Sequence, residues 1–309
     1  MFDNLDMILK KENCRDIDFI QLVPQYLTIV TSQGVSQFGE YITGYSDSLK
    51  VSISDNRVKV SESSICKYYL GDNFKTLTRG DYKKAIEKLS DNLHLPFHLA
   101  DITRIDIANN LLMKFDEKIY FTHLGELPYY NRLEQNNGLY YNNKLRQIVF
   151  YGKVHEQKIK KQIIPELYKN RNVLRYEIRF RKRLKEQFKR SEITAGLLYD
   201  EVFYNDLVSR WKNEYLAIQK INSKLMSIKP TGSTKEFIDN MALLQVLELG
   251  QPKILSIIKE WHCKGDITKE EAKRLRDKIK LLSKITIDEK ENELINELNQ
   301  KIKEAARFS

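Results

Sequence analysis

Apolar residues that alternate with polar ones mark strands, and apolar residues three or four apart mark helices. On that basis the chain falls into three zones. Residues 1 to about 80 read as strands and turns. In LKVSISDNRVKVS, Val51 and Ile53 precede an Asp55-Asn56 pair and Val58 and Val60 follow it, which predicts a β-hairpin. A stripe of Ala85, Ile86, Leu89 and Leu93 predicts a helix from about Asp81 to Leu93, closed by Pro96.

The middle zone, about 99–186, holds three strand candidates of one kind. In TRIDIA, Ile105 and Ile107 face away from Arg104 and Asp106. In RQIVFYGK, Val149, Tyr151 and Lys153 share a face, opposite Ile148 and Phe150. In LRYEIRF, Leu174, Tyr176, Ile178 and Phe180 oppose Arg175, Glu177, Arg179 and Arg181. As neighbours, these strands make a sheet with an apolar back and a front of Asp, Glu, Tyr, Lys and Arg. A solvated sheet face explains the same alternation, though such faces rarely gather these residue types.

The last zone, about 187–309, reads as helical. Leu207, Trp211, Tyr215 and Ile218 form one stripe, and Met241–Leu249 a short apolar helix. Thr268 with Glu271 spells a capping box after a Gly265-Asp266-Ile267 turn. Ile287, Glu291, Leu294, Ile295, Leu298 and Ile302 mark a final helix. The turn leaves room for a helix–turn–helix reader around 253–283, although plain helical pairs are commoner. The predicted fold class is α+β: a central antiparallel sheet with flanking helices, residues 1–190, followed by a helical C-terminal region, residues 191–309.

Charge sharpens this picture. Lys plus Arg number 52 against 42 Asp plus Glu, a net charge of +10. Arg171 to Arg190 holds nine basic and two acidic residues, a local surplus of seven. A basic stretch of that density favours a polyanion, nucleic acid ahead of an anionic membrane surface. No run approaches the ~20 apolar residues of a membrane span, and MFDNLDMILKKEN lacks the order of a secretory leader. Cys14, Cys66 and Cys263 offer neither a disulfide framework nor a zinc spacing, which predicts a reducing cytoplasm. There is no GxxxxGK[ST] phosphate loop.

Four elements in order resemble one family. They are SSICKYYLGDNF, with Ser63, Ser64, Lys67, Gly71 and Asn73; an Arg-x-Asp strand, Arg104 and Asp106; a Tyr-x-Lys-x-x-Glu element, Tyr151, Lys153 and Glu156, after a short strand near Leu139–Tyr141; and an Arg-x-Glu strand, Arg175 and Glu177, followed by basic residues. Over residues 49–190 the chain resembles the phage and plasmid replication proteins related to the filamentous-phage rolling-circle initiator. The resemblance implies a site-specific nickase in the cytoplasm of a bacterial host. Such an enzyme cuts one strand at an origin, keeps the 5′ phosphate on a tyrosine, here Tyr151, and leaves a 3′ hydroxyl for a polymerase. The competing reading is an origin-binding initiator without catalysis, in which Tyr151 is structural.

The implied chemistry makes sense of the residue types. A phenol of ordinary pKa ~10 must attack as phenolate, and a cation such as Lys153 would lower that value. Mg²⁺ or Mn²⁺ held by Asp106 and Glu177 would neutralise the attacked phosphate. Glu156 is a third ligand or a proton acceptor. Tyr140 and Tyr141 are alternative nucleophiles or stacking platforms. His94 and His98 straddle a proline and read as loop or core residues, His155 as exposed, so hard oxygen ligands are expected in place of a histidine pair. Arg104, Arg175, Arg179, Arg181, Lys182, Arg183 and Lys67 are the expected DNA contacts. The C-terminal helices stay open between origin reading, helicase recruitment and self-association.

Overall fold

A computed structural model describes residues 1–14, 17–221, 238, 241, 242, 246, 249–282 and 293–307. Ten strands form one antiparallel sheet: β1 (Phe2–Lys10), β2 (Ile29–Ser36), β3 (Gly39–Ser46), β4 (Leu49–Ser54), β5 (Arg57–Val60), β6 (Asp101–Met113), β7 (Asn131–Gln135), β8 (Gly138–Asn142), β9 (Arg146–Gly152) and β10 (Asn172–Phe180). Their spatial order is β2-β3-β4-β5-β1-β6-β10-β9-β8-β7. The fold is α+β, as the alternation predicts. The predicted hairpin is β4–β5, with Val51 opposite Val60 and Ile53 opposite Val58, all four buried.

The middle strands β6, β10 and β9 carry the alternation furthest. Leu174, Tyr176, Ile178 and Phe180 point to the back, where helices bury them completely. These helices are α3 (Arg79–Leu93), capped by Thr78 and Asp81, and α7 (Glu201–Ala217). Trp211 of α7 packs its ring 4.7 Å from that of Tyr176, whose hydroxyl donates to the Trp211 carbonyl at 2.9 Å. The last helix, Glu293–Arg307, adds Leu298 and Ile302 to this core, and Tyr215 donates to Asn299 Oδ1 at 2.7 Å.

The first zone holds more than strands and turns. It also contains α1 (Phe19–Leu22) and α2 (Ile65–Leu70), and β1 lies at the sheet's centre between β5 and β6. A bulge between Phe2 and Leu5 breaks the period of β1, so its pattern does not read as a strand. Three further short helices follow between residues 117 and 188: α4 (Glu117–Phe121), α5 (Lys153–Ile159) and α6 (Leu184–Phe188). Lys153 therefore opens a helix and does not continue β9.

The chain divides into two compact units, Met1–Lys220 with Leu294–Ser309, and Ile221–Glu293. The first runs past residue 190 because α7 belongs to the sheet's core. In the second, helix Gln251–Lys264 ends at Gly265 with a left-handed φ of 79°, and helix Lys269–Leu282 follows. The expected capping box is present: Thr268 Oγ1 accepts from the Glu271 N–H at 3.2 Å, and Glu271 Oε2 accepts from the Thr268 N–H at 2.8 Å. Part of the predicted Met241–Leu249 helix, and Ile287 and Glu291 of the final stripe, lie outside the described residues.

Candidate functional site

Register places the polar front of the sheet. On β10, Arg175 pairs with Asn110 of β6 and Tyr151 of β9; Glu177 pairs with Ala108 and Val149; Arg179 pairs with Asp106 and Gln147. Residues directly opposite share a face, so Tyr151, Glu177 and Asp106 come together on one side, with Glu177 and Asp106 on the diagonal. Arg104, Arg175 and Arg179 stand among them.

Burial makes this face unlike a solvated one. Asp106 is 0% exposed, Glu177 1% and Arg175 2%. Asp106 accepts from Arg104 Nε at 2.8 Å and Nη2 at 2.5 Å, and from Asn4 Nδ2 at 3.2 Å. Glu177 accepts from Arg179 Nε at 2.7 Å and Nη2 at 3.3 Å. Burial and the nearby Glu177 charge push the Asp106 carboxyl up, against the pull of Arg104. A carboxyl raised by burial and a neighbouring like charge is of the kind that gathers at functional sites.

Arg175 is not a surface phosphate contact. It donates through Nη2 to Asp3 Oδ2 at 2.5 Å and through Nη1 to the Asn73 carbonyl and Asn110 Oδ1, both at 3.1 Å. Asp3 also accepts from Ser64 Oγ at 2.9 Å and Asn73 Nδ2 at 3.3 Å. Burial alone would raise the Asp3 carboxyl, but Arg175 and these donors hold it below the ordinary value. The Ser64-to-Asn73 segment thus has a definite task. Ser64 caps α2, Gly71 ends it with a left-handed φ of 82°, and Asn73 turns onto Arg175. Sequence reading missed Asp3 and Asn110. The period of TRIDIA, continued four residues, reaches Asn110; the β1 bulge hides Asp3.

Tyr151 shares this front. Its pKa stands well above the phenol's ordinary value, chiefly from burial, with Glu177, Glu156 and Asp3 adding to the rise and Arg175 opposing it. Arg175 and Arg179 are cations acting on this hydroxyl. Other buried tyrosines bond their hydroxyls: Tyr176 to Trp211, Tyr141 to Gly125, Tyr82 to Ala195. The Tyr151 hydroxyl has no hydrogen-bond partner among the described residues and keeps solvent access. Tyr141 is completely buried and bonded on the back, whereas Tyr140 faces front beside Val149.

Lys153 is buried, with Nζ 2.7 Å from Glu156 Oε2 and 5.7 Å from the Phe74 ring centre. Burial, then Arg175, lowers its pKa to about 8, against Glu156. Burial acts to raise the Glu156 carboxyl, but Lys153, Lys160 and Gln157 outweigh it and hold the group at about 2. Lys67 is half-buried and donates to Gln162 Oε1 at 3.0 Å. Arg181, Lys182, Arg183, Lys185, Lys189 and Arg190 are all exposed around α6. His155 is exposed, and His94 stacks near Tyr26.

Among the described residues no cluster of three or more His, Cys, Asp or Glu could hold a metal ion. Two buried carboxylates on one sheet face, Asp106 and Glu177, still offer the oxygen donors a hard cation takes. Mg²⁺ is commonly held by one or two carboxylates, with water and phosphate oxygens completing its shell. Asp106 and Glu177 are the residues that would hold it.

An arginine- and carboxylate-lined sheet face carries a tyrosine whose hydroxyl is unbonded among the described residues, and exposed cations flank the short helix α6 that follows β10. Over residues 1–214 the chain matches the N-terminal part of the phage replication-associated protein family, and it belongs to that family of filamentous-phage replication initiators. Membership makes DNA its partner. No curated protein matches the chain. No helix among the described residues is long and apolar enough to cross a membrane.

Proposed function

We propose that this initiator is a site-specific nickase that transfers one DNA strand to Tyr151. The Tyr151 oxygen attacks the scissile phosphorus, the bond to the 3′ oxygen breaks, and a 5′ phosphotyrosine forms as the 3′ oxygen takes up a proton. The observation that carries this reading is the register, which sets Tyr151 directly opposite Arg175 and on the face of Glu177, with a hydroxyl that has no hydrogen-bond partner among the described residues. Mg²⁺ or Mn²⁺ on Asp106 and Glu177 would supply charge to the attacked phosphate. Arg175, fixed by Asp3 and Asn73, favours the phenolate. Because the phosphotyrosine conserves the bond, rejoining needs no nucleotide.

Lys153 suits the proton acceptor's part better than Glu156, because a base works best with a pKa near the working pH. An amine accepts a proton only when neutral, which for Lys153 means above about pH 8. The rate of adduct formation is therefore expected to climb through the neutral range and level off above about pH 8. Quench-flow measurement across pH 6–10 checks this, and Lys153→Gln should flatten the profile. A profile of wild-type shape in that variant would remove Lys153 from the role.

The exposed cations after β10 are the proposed phosphate grip. Replacing Lys182 and Arg183 with Gln should weaken DNA binding without regard to sequence. It should also lower the slope of log affinity against log salt by about one for each phosphate no longer neutralised. An unchanged slope in fluorescence anisotropy titrations would place the DNA elsewhere.

The function itself is tested with supercoiled DNA bearing the protein's own origin and Mg²⁺. The expected products are a nicked circle and a protein–DNA adduct that survives denaturant. No adduct under any divalent metal leaves the alternative, an initiator that binds the origin without cutting it.

A further inference from the structure

The front face does not end at Tyr151. Two residues before Arg175, on the same face of β10, Val173 joins Phe74 and Val154 in a small apolar cluster, with Ile164 and Tyr168 packed against it. Phe74 and Tyr168 stack with ring centres 4.8 Å apart. This cluster adjoins the site directly: Lys153 lies over the Phe74 ring, and the carbonyls of Asn73 and Phe74 accept from Asn110 at 2.8 and 2.9 Å. Beyond it opens a pocket of about 450 Å³, lined by Val154, Lys158, Gln162, Ile163, Ile164, Lys169 and Asn170.

Three properties of the pocket point to one kind of occupant. Its walls are mostly apolar, and Ile163 is 90% exposed, so a flat apolar surface is wanted there. Two cations line the pocket. Lys169 pairs with Glu166, but Lys158 has no ion-pair partner among the described residues. Gln162 and Asn170 supply amide donors and acceptors of the type that meet base edges. From Glu177 to Val173 is four residues, about 13 Å at ~3.3 Å each, so the pocket lies close along the face from the proposed site.

We infer that this pocket holds an unstacked base of the single strand next to the scissile phosphate. Ile163 and Ile164 cover the base face, and Lys158 meets a neighbouring phosphate. The inference deepens the nickase reading and rests on it for the position of the strand. Held there, the base fixes the strand's register against Tyr151, as splayed bases do in other single-strand binders.

The test reads binding, not cutting. Fluorescein-labelled oligo(dT) and an abasic oligomer of the same length, which keeps every phosphate, are titrated with the full chain by anisotropy. Wild type should prefer oligo(dT). Ile163→Ser, whose side chain is exposed and should leave the melting temperature unchanged, should reduce that preference about fivefold while leaving abasic binding unaltered. Burying roughly 40 Å² of apolar surface accounts for a change of that size. Lys158→Gln should weaken both oligomers equally and lower the salt slope by about one. An unchanged preference in Ile163→Ser overturns the proposal, as does a shift in that variant's oligomeric state with equal binding of both oligomers, which would make the pocket a seat for a second copy. Adduct formation with no Ile163 effect removes the pocket alone. An Ile163 effect without any adduct removes the nickase reading and leaves the base site standing.

Discussion

Tyr151→Phe is expected to abolish the denaturant-resistant DNA adduct, by about 10⁴-fold or more in rate, while DNA affinity and melting temperature stay close to wild type. Loss of a nucleophile is among the largest single-residue effects in catalysis. The stability half of the claim follows from the structure. The ring is half-buried on the front of β9 and its oxygen makes no hydrogen bond among the described residues, so phenylalanine fills the same space and leaves no polar group unpaired. The same substitution at Tyr176 would take away the hydroxyl donor that the Trp211 carbonyl accepts from in the core. Gel analysis of supercoiled origin DNA after denaturation checks the adduct, and anisotropy checks affinity. Adduct at the wild-type rate in Tyr151→Phe would move the nucleophile, with Tyr140 next to be replaced, since it shares the front face.

How much of this was readable in advance follows from how local each pattern is. β6, β9 and β10 show themselves because their two faces differ in kind, and period two carries through without a break. Asp106, Tyr151 and Glu177 fall on one side for that reason, in neighbouring strands of the predicted sheet. β1 does not show itself, because the bulge at Phe2–Leu5 shifts the period in mid-strand and leaves MFDNLDMILK looking mixed. With β1 hidden, Asp3 has no visible link to Arg175, far along the chain. Lys153 reads as a strand residue because the alternation of RQIVFYGK continues one position past the point where the chain turns into α5. The role of Arg175 misleads in another way. Charge counting cannot distinguish a cation in solvent from one enclosed by Asp3, Asn73 and Asn110, and the surplus of the Arg171–Arg190 stretch contains both kinds.

Arg175→Met is expected to destabilise the fold by about 3–5 kcal/mol at neutral pH, the usual cost of removing one partner from a buried ion pair. Asp3 and Glu177 would each be deprived of a guanidinium, and neither has solvent to replace it. The pH dependence separates this from simple loss of packing. In the wild type, Arg175 holds the folded pKa of Asp3 below its unfolded value. That ionisation therefore favours the fold above the unfolded pKa, and the contribution is lost as pH falls through the folded one. Without the guanidinium, burial governs and the folded pKa rises above the unfolded value. Asp3 then favours the fold only when protonated, and that contribution disappears as pH rises through the raised pKa. The deficit of Arg175→Met should thus be largest at pH 7–8 and shrink toward pH 4. Urea unfolding at both ends measures it, and an equal deficit throughout would show that packing alone is at stake. Adding Asp3→Asn should recover part of the loss, because it removes the stranded Asp3 charge, whereas Glu177 keeps Arg179. The double variant should still form adduct slowly, since Tyr151 is then without the Arg175 charge that opposes Glu177 and Glu156. Stability and chemistry thus meet in one guanidinium, and restoring the first without the second is the sign that Arg175 serves both.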